Sequence, residues 1–171
     1  MSKGTPKRTP PEGLPPDGDG PILRAADLSR FSAIDVDPAR ESESRVDYDD
    51  GGVHIRYVYR FDASDGVFVS SLLNVDVDEK EAESTFQEYL SRAADMGVAI
   101  ERDDRLSWGD ASAMWAVTVD GEQVGHAILA RKGMGTLFVI FSGYLFAGET
   151  TIRELIEPKL EALEALSRDG T

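Results

Sequence analysis

The 171 residues include 32 acidic and 18 basic side chains, for a formal charge of −14. A chain so acidic repels nucleic acid and anionic membrane surfaces unless a local basic patch prevails. There is no cysteine, which excludes disulfides, thiolate metal sites, thiol nucleophiles and cysteine lipidation.

The 41% hydrophobic and 29% charged content suits one domain with a real core. No run approaches the roughly 18 to 20 apolar residues of a membrane-spanning helix. Only five of the 18 basic residues are lysine, a bias that fits a GC-rich genome before salt adaptation.

Met1 to Gly20 is rich in proline, glycine and charge, which predicts a disordered tail. It has basic residues without an apolar core, so it is not a secretory signal; if Met1 is the natural start, the expected compartment is the cytoplasm. Pro21 to Phe31 predicts a short helix carrying Ile22, Leu23, Ala26 and Leu28. Arg40 to Arg45 reads as a polar connection, so residues 21–44 form a helix and linker ahead of a single domain over 45–168.

Arg45 to Asp49 reads as an edge strand closed by the turn Asp50-Gly51-Gly52. Next, Val53, Ile55, Tyr57, Tyr59 and Phe61 alternate with His54, Arg56, Val58 and Arg60. That period of two predicts a strand with one apolar and one largely basic face. After the turn Asp62 to Gly66, the residues Val67, Val69, Leu73, Val75 and Val77 mark another strand, with Phe68 and Leu72 on its other side.

Asp78 with Glu81 is a helix-capping pattern. Ala82, Phe86, Tyr89, Leu90, Ala93 and Ala94 follow at helical spacing, and Gly97 is placed to end the helix. A strand is expected near Val98 to Arg102. Trp108 to Phe146 then spells three strands. Asp120-Gly121 supplies the positive φ angles of a two-residue hairpin, and Lys132 to Gly135 makes a second turn. Leu137 to Phe141 is apolar on both faces, as a central strand covered from two sides would be. Thr151 and Glu154 offer a cap for a last helix bearing Ile152, Leu155, Ile156, Leu160, Leu163 and Leu166. Pro158 inside it predicts a kink or break.

The resulting order, β-β-β-α-β-β-β-β-α, is that of an α+β sandwich: an antiparallel sheet of six or seven strands flanked by two main helices.

Poised chemistry is absent from the pattern. His54 and His126 have no neighbour at metal-ligand spacing, and Ser70, Ser71 and Ser142 lack a nucleophile elbow. Gly133-Met134-Gly135 joins two strands instead of opening a helix, so it is a turn, not a phosphate cradle. Asp103, Asp104 and Asp110 fail the calcium-loop spacing and read as a solvated loop beside a packed Trp108. Asp76 and Asp78 end a strand and cap a helix. No catalytic, cofactor or metal residue is therefore assigned.

The basic stripe Arg56 and Arg60, with Arg131 and Lys132 as possible extensions, stands out on an acidic chain. It would either receive an acidic partner or pair with carboxylates of the first helices, the second being favoured. Tyr57, Tyr59 and Phe61, with Trp115, are expected to pack beneath a helix. Partner contact, if made, is assigned to Arg56, Arg60 and Trp108, with homodimerisation open.

The helix pattern Glu81, Ala82, Phe86, Tyr89, Leu90, the lead-in Trp108-Gly109-Asp110, the Asp120-Gly121 hairpin and the closing helix together resemble the PsbP-like α-β-α sandwich superfamily. That group includes photosystem accessory proteins, Ran-binding Mog proteins, DcrB-like bacterial proteins and Eag-type chaperones of type VI secretion. The resemblance spans Arg45 to Leu166 and lies in element order. It implies a protein that binds other proteins without catalytic residues.

Three functions follow as expectations. The first is a non-enzymatic binding or assembly protein using a sheet face or rim loops, without a cofactor. The second is a secretion-type chaperone cradling an apolar helix. The third is a small-molecule carrier or enzyme with a cavity between the sheet and Ile152 to Leu166.

Overall fold

A run such as Leu137 to Phe141 loses its apolar surface to water only between two layers, and the fold is built around that need. In the computed structural model, which describes residues 20–60, 66–95, 99–103 and 107–168, it forms the middle of a seven-stranded sheet. The strands are β1 Glu41–Asp47, β2 Val53–Tyr59, β3 Phe68–Val75, β4 Ala99–Asp103, β5 Ala111–Val119, β6 Glu122–Lys132 and β7 Gly135–Ser142. Their order is β1-β2-β3-β7-β6-β5-β4, every neighbour antiparallel. The helices are α1 Ala25–Leu28, α2 Glu79–Asp95 and α3 Glu149–Arg168, so the α+β sandwich with two main helices is the observed architecture.

The alternation of each strand divides the core in two. On one face Ile55, Tyr57, Leu73, Leu137, Val139 and Ile128 pack under α3 and under Ile22, Leu23 and Leu28 of the N-terminal segment. On the other, Phe86, Tyr89 and Ala93 of α2 cover Trp115, Ala127, Leu129 and Phe138. Burial of each large α3 side chain (Ile152, Leu155, Ile156, Leu160, Leu163) contributes roughly 2 kcal/mol. Lys159 on α3, itself buried, is held 3.0 Å from Asp27 at α1 and donates to the Gly20 carbonyl.

Turn chemistry sets the registers. Asp120 (φ 53°) and Gly121 (φ 84°) are both left-handed, as the two-residue hairpin between β5 and β6 requires. The β6–β7 hairpin is pinned by Asp110, whose carboxylate accepts from the Gly133 N–H at 2.7 Å and lies 3.3 Å from Lys132 Nζ. The bond from Gly133, then Lys132 and Arg131, holds the Asp110 carboxyl below its ordinary range. Asp78 caps α2 as expected, its Oδ1 accepting from the Glu81 N–H at 2.8 Å.

Three local expectations are corrected. Arg40 to Arg45 is not a connection: after a 3-10 turn at Pro38–Arg40, β1 begins at Glu41 and pairs along its length with β2. Its sequence ESESRVD has no apolar periodicity because it is an edge strand with mostly exposed side chains, and its charge discourages pairing with other chains. Thr151 does not cap α3. The helix starts at Glu149, and the Gly148 carbonyl already accepts from the Ile152 N–H. Nor does Pro158 break α3, which runs on to Arg168. Glu154 and Pro158 both lie on the exposed side, where the carbonyl that proline leaves without a donor is open to solvation. Residues 1–19 and Phe61, Gly97 and Asp104 lie outside the described residues.

Gly125 on β6 tests the register. A Cβ there would sit 1.9 Å from the Phe141 carbonyl oxygen, against backbone that cannot retreat without breaking the β6–β7 ladder. Gly125→Ala is expected to destabilise the domain by about 3 kcal/mol in urea unfolding. Gly148→Ser, with nothing within 4 Å and a better helix cap, should stay within about 0.5 kcal/mol or stabilise.

Candidate functional site

Cross-strand pairing sorts the α2-side face into rows. One runs Leu129–Phe138–Leu72–Arg56–Ser44, from β6 through β7, β3 and β2 to β1. The next runs Ala127–Ile140–Ser70–Val58–Ser42. In each, the β6 residue is fully buried, the β3 residue is half-buried and the β1 serine is exposed. Among the described residues α2 therefore covers one half of this face and leaves β1, β2 and part of β3 bare. The bare half holds a shallow concavity of about 290 Å³ bordered by Ser42, Glu43, Ser44, Arg56, Val58 and Arg60, with the Glu43 carboxylate paired to Arg24.

Arg56 and Arg60 are both exposed and make no ion pair among the described residues. Arg131 and Lys132 do not extend their stripe. In the row Arg131–Thr136–Asn74–His54–Val46, three polar residues separate Arg131 from the β1 edge. Arg131 instead pairs with Glu83 of α2 at 3.0 Å, and Lys132 with Asp110. Intramolecular pairing thus accounts for the second pair of cations and not for the first.

Trp108 is buried, away from the bare face. It is 5% exposed and belongs to the core beneath α3, because the chain entering β5 folds its indole inward while Asp110 pins the backbone. The tyrosines of β2 are structural too. The Tyr57 hydroxyl accepts from the Ala25 N–H at 3.1 Å and donates to Glu41 at 2.7 Å, and burial followed by that bond pushes it well above its ordinary range. The Tyr59 hydroxyl accepts from the Asp37 N–H, and the Arg40 guanidinium lies 4.4 Å above its ring.

The two histidines lie on opposite faces of the sheet. His126 packs on the α3 side against Phe146 and Phe141, with ring centroids 4.7 and 5.6 Å away. His54 shares the α2 side with Asn74. Among the described residues no group of three His, Asp or Glu could hold a metal ion. Ser71 is buried and donates to the Leu23 carbonyl at 2.5 Å.

A second concavity, about 340 Å³, opens where α2 overhangs β2 and β3. His54, Asn74 and Asp76 form its floor, Thr85, Glu88 and Tyr89 its helix wall, and Tyr48 and Asp50 its outer rim. Asn74 bonds both ways, its amide nitrogen to the Tyr89 hydroxyl and its oxygen to His54 Nδ1, each at 2.5 Å. Asp76 had read as a plain strand end. Its Oδ2 is shut off from solvent and accepts no hydrogen bond among the described residues, and its carboxyl is raised above the ordinary value. Desolvation is the main cause; the Thr85 hydroxyl bond opposes it, and Glu81, Asp78 and Asp50 add to it. The sequence trace of this groove is polar His54 and Asn74 one row below Leu72 and Phe138, with Asp76 two residues further on.

A carboxyl raised in the folded state binds its proton more tightly there than in the unfolded chain. Its stabilising contribution is complete at low pH and is lost as pH climbs through the folded-state value. Asp76→Asn should therefore raise the Tm at pH 7, by an increment that shrinks toward pH 4. A wild type more stable than the variant at pH 7 would contradict this assignment.

No family model matches this chain, and neither the curated proteins nor the solved structures include a match to it.

Proposed function

We propose that this chain is a non-catalytic protein-binding module that takes an acidic, extended segment of a partner across the bare half of its sheet. The supporting observation is the pair Arg56 and Arg60, exposed and without ion partners among the described residues, on a face that α2 leaves uncovered in a chain of net charge −14. Four residues apart, Arg56 on β2 and Arg60 just past its end, they stand about 13 Å apart along an extended path, a spacing that an extended segment matches with carboxylates at i and i+4. Ser42, Ser44 and Ser70 beside them offer hydroxyl donors and acceptors. The charged β1 edge disfavours strand addition, so the face and not the edge is the contact. The PsbP-like resemblance, which implies protein binding without catalysis, points the same way.

The alternatives fit less well. A cradle for an apolar helix needs an apolar trough, whereas the bare face carries serines and arginines. The exposed apolar residues Val119 (53%) and Leu145 (50%) lie instead around a separate concavity with Val124 and Tyr144. A carrier needs space between α3 and the sheet. There Leu163 packs so closely that a Cβ at Gly135 would lie 2.7 Å from its Cδ2.

Fluorescence anisotropy with a labelled octaglutamate peptide tests the reading. Binding should weaken as salt rises from 50 to 300 mM, and Arg56→Glu with Arg60→Glu should lower affinity at least tenfold. Equal binding by the double variant, or no binding by either protein at low salt, would refute it.

A further inference from the structure

The groove under α2 is distinct in chemistry from the arginine-bearing face, and its hydrogen-bond inventory is one-sided. Tyr89 is held by stacking on Phe138, with centroids 5.7 Å apart, so its hydroxyl is a fixed mark. The Asn74 amide nitrogen donates to that hydroxyl, which turns the Asn74 oxygen toward His54. An amide oxygen only accepts, so the neutral His54 ring meets it with a proton on Nδ1 and keeps Nε2 as an acceptor.

Asp76 supplies further acceptors. The Thr85 hydroxyl lies against its carboxylate, and Oδ2, out of reach of solvent, has no donor among the described residues. A desolvated carboxylate oxygen without a donor costs more than almost any other unmet polar group, and the residue that carries it lines the groove. Arg92, the one cation lining that groove among the described residues, is occupied by Glu88 at 2.5 Å. Tyr48, half exposed at the rim, adds an aromatic surface.

We propose that this groove binds a guanidinium or primary ammonium group, donating to Asp76 and to His54 Nε2 with its methylene stem against Tyr48. Such a group has donors and no acceptors, the complement of the floor, and its charge answers Asp76. The volume of about 340 Å³ admits a guanidinium with a short aliphatic chain. Two sources carry this chemistry: a free small amine, or an arginine or lysine side chain of a peptide.

The test is an NMR titration of the His54 ring, identified by its loss in His54→Gln. The probes are agmatine, the blocked tripeptide acetyl-Gly-Arg-Gly-amide, and N-butylurea as an uncharged analogue. Agmatine or the tripeptide should shift the ring saturably with a Kd of about 1 mM or tighter, and N-butylurea should not. Saturation by agmatine marks a free amine as occupant, and saturation by the tripeptide alone marks a peptide side chain. Asp76→Asn should weaken binding at least tenfold. Glu88→Gln, on the exposed helix surface and harmless to folding, should weaken it severalfold. The Arg56→Glu, Arg60→Glu protein should bind as wild type does, which separates this site from the acidic-partner face. No saturable shift with either cation, an equal shift with N-butylurea, or full binding by both Asp76→Asn and Glu88→Gln would overturn the proposal.

Discussion

Strand β7 carries apolar side chains on both faces, so it leaves water only when layers close over it from above and below. That demand is met unequally. Seven strands spaced about 4.8 Å apart make a sheet roughly 29 Å across, while one helix with its side chains is about 10 to 12 Å wide. A single helix therefore shields between two and three strands. On one face, α3 is helped by the N-terminal segment, whose Ile22, Leu23 and Leu28 fill the space over the remaining strands. On the other face, among the described residues, α2 works alone, and it sits over β6 and β7, where desolvating β7 requires it, with Trp115 of β5 and Leu72 of β3 packed at its flanks. The bare half of the sheet is the geometric remainder of that placement.

The strands are composed accordingly. β6 and β7, covered twice, are apolar on both sides through Ala127 to Ala130 and Leu137 to Phe141. β2, covered once, is apolar on the α3 side and carries His54, Arg56 and Val58 on the other. Strand composition thus records how many layers lie over each strand. The polar residues of β2 and β3 are also what gives the uncovered half its two chemical characters: cationic around Arg56 and Arg60, acceptor-rich around His54, Asn74 and Asp76.

Features settled within a few residues were legible in the chain. The Asp120-Gly121 hairpin, the Asp78 cap and the double-sided apolarity of β7 each follow from local stereochemistry or burial. Features depending on distant pairing were not. Glu41 to Asp47 becomes a strand because β2 offers it a ladder, which its own residues do not announce. Trp108 turns inward because Asp110 reaches the β6–β7 turn more than twenty residues away. The groove needs β3 beside β7, α2 crossing both, and a register that sets Asn74 against His54. No spacing rule within a single stretch encodes these.

The central claim is that α2 seals its face around β6 and β7 and leaves β1 and β2 open. Relaxation of methyl protons by a soluble gadolinium chelate measures it directly. Val46 and Val58 methyls should relax strongly, Leu129 and Val139 methyls should be protected, and Leu72 should fall between them. Protection of Val58 equal to that of Leu129 would mean that another layer, from this chain or a second copy, covers the sheet, and the account would fail.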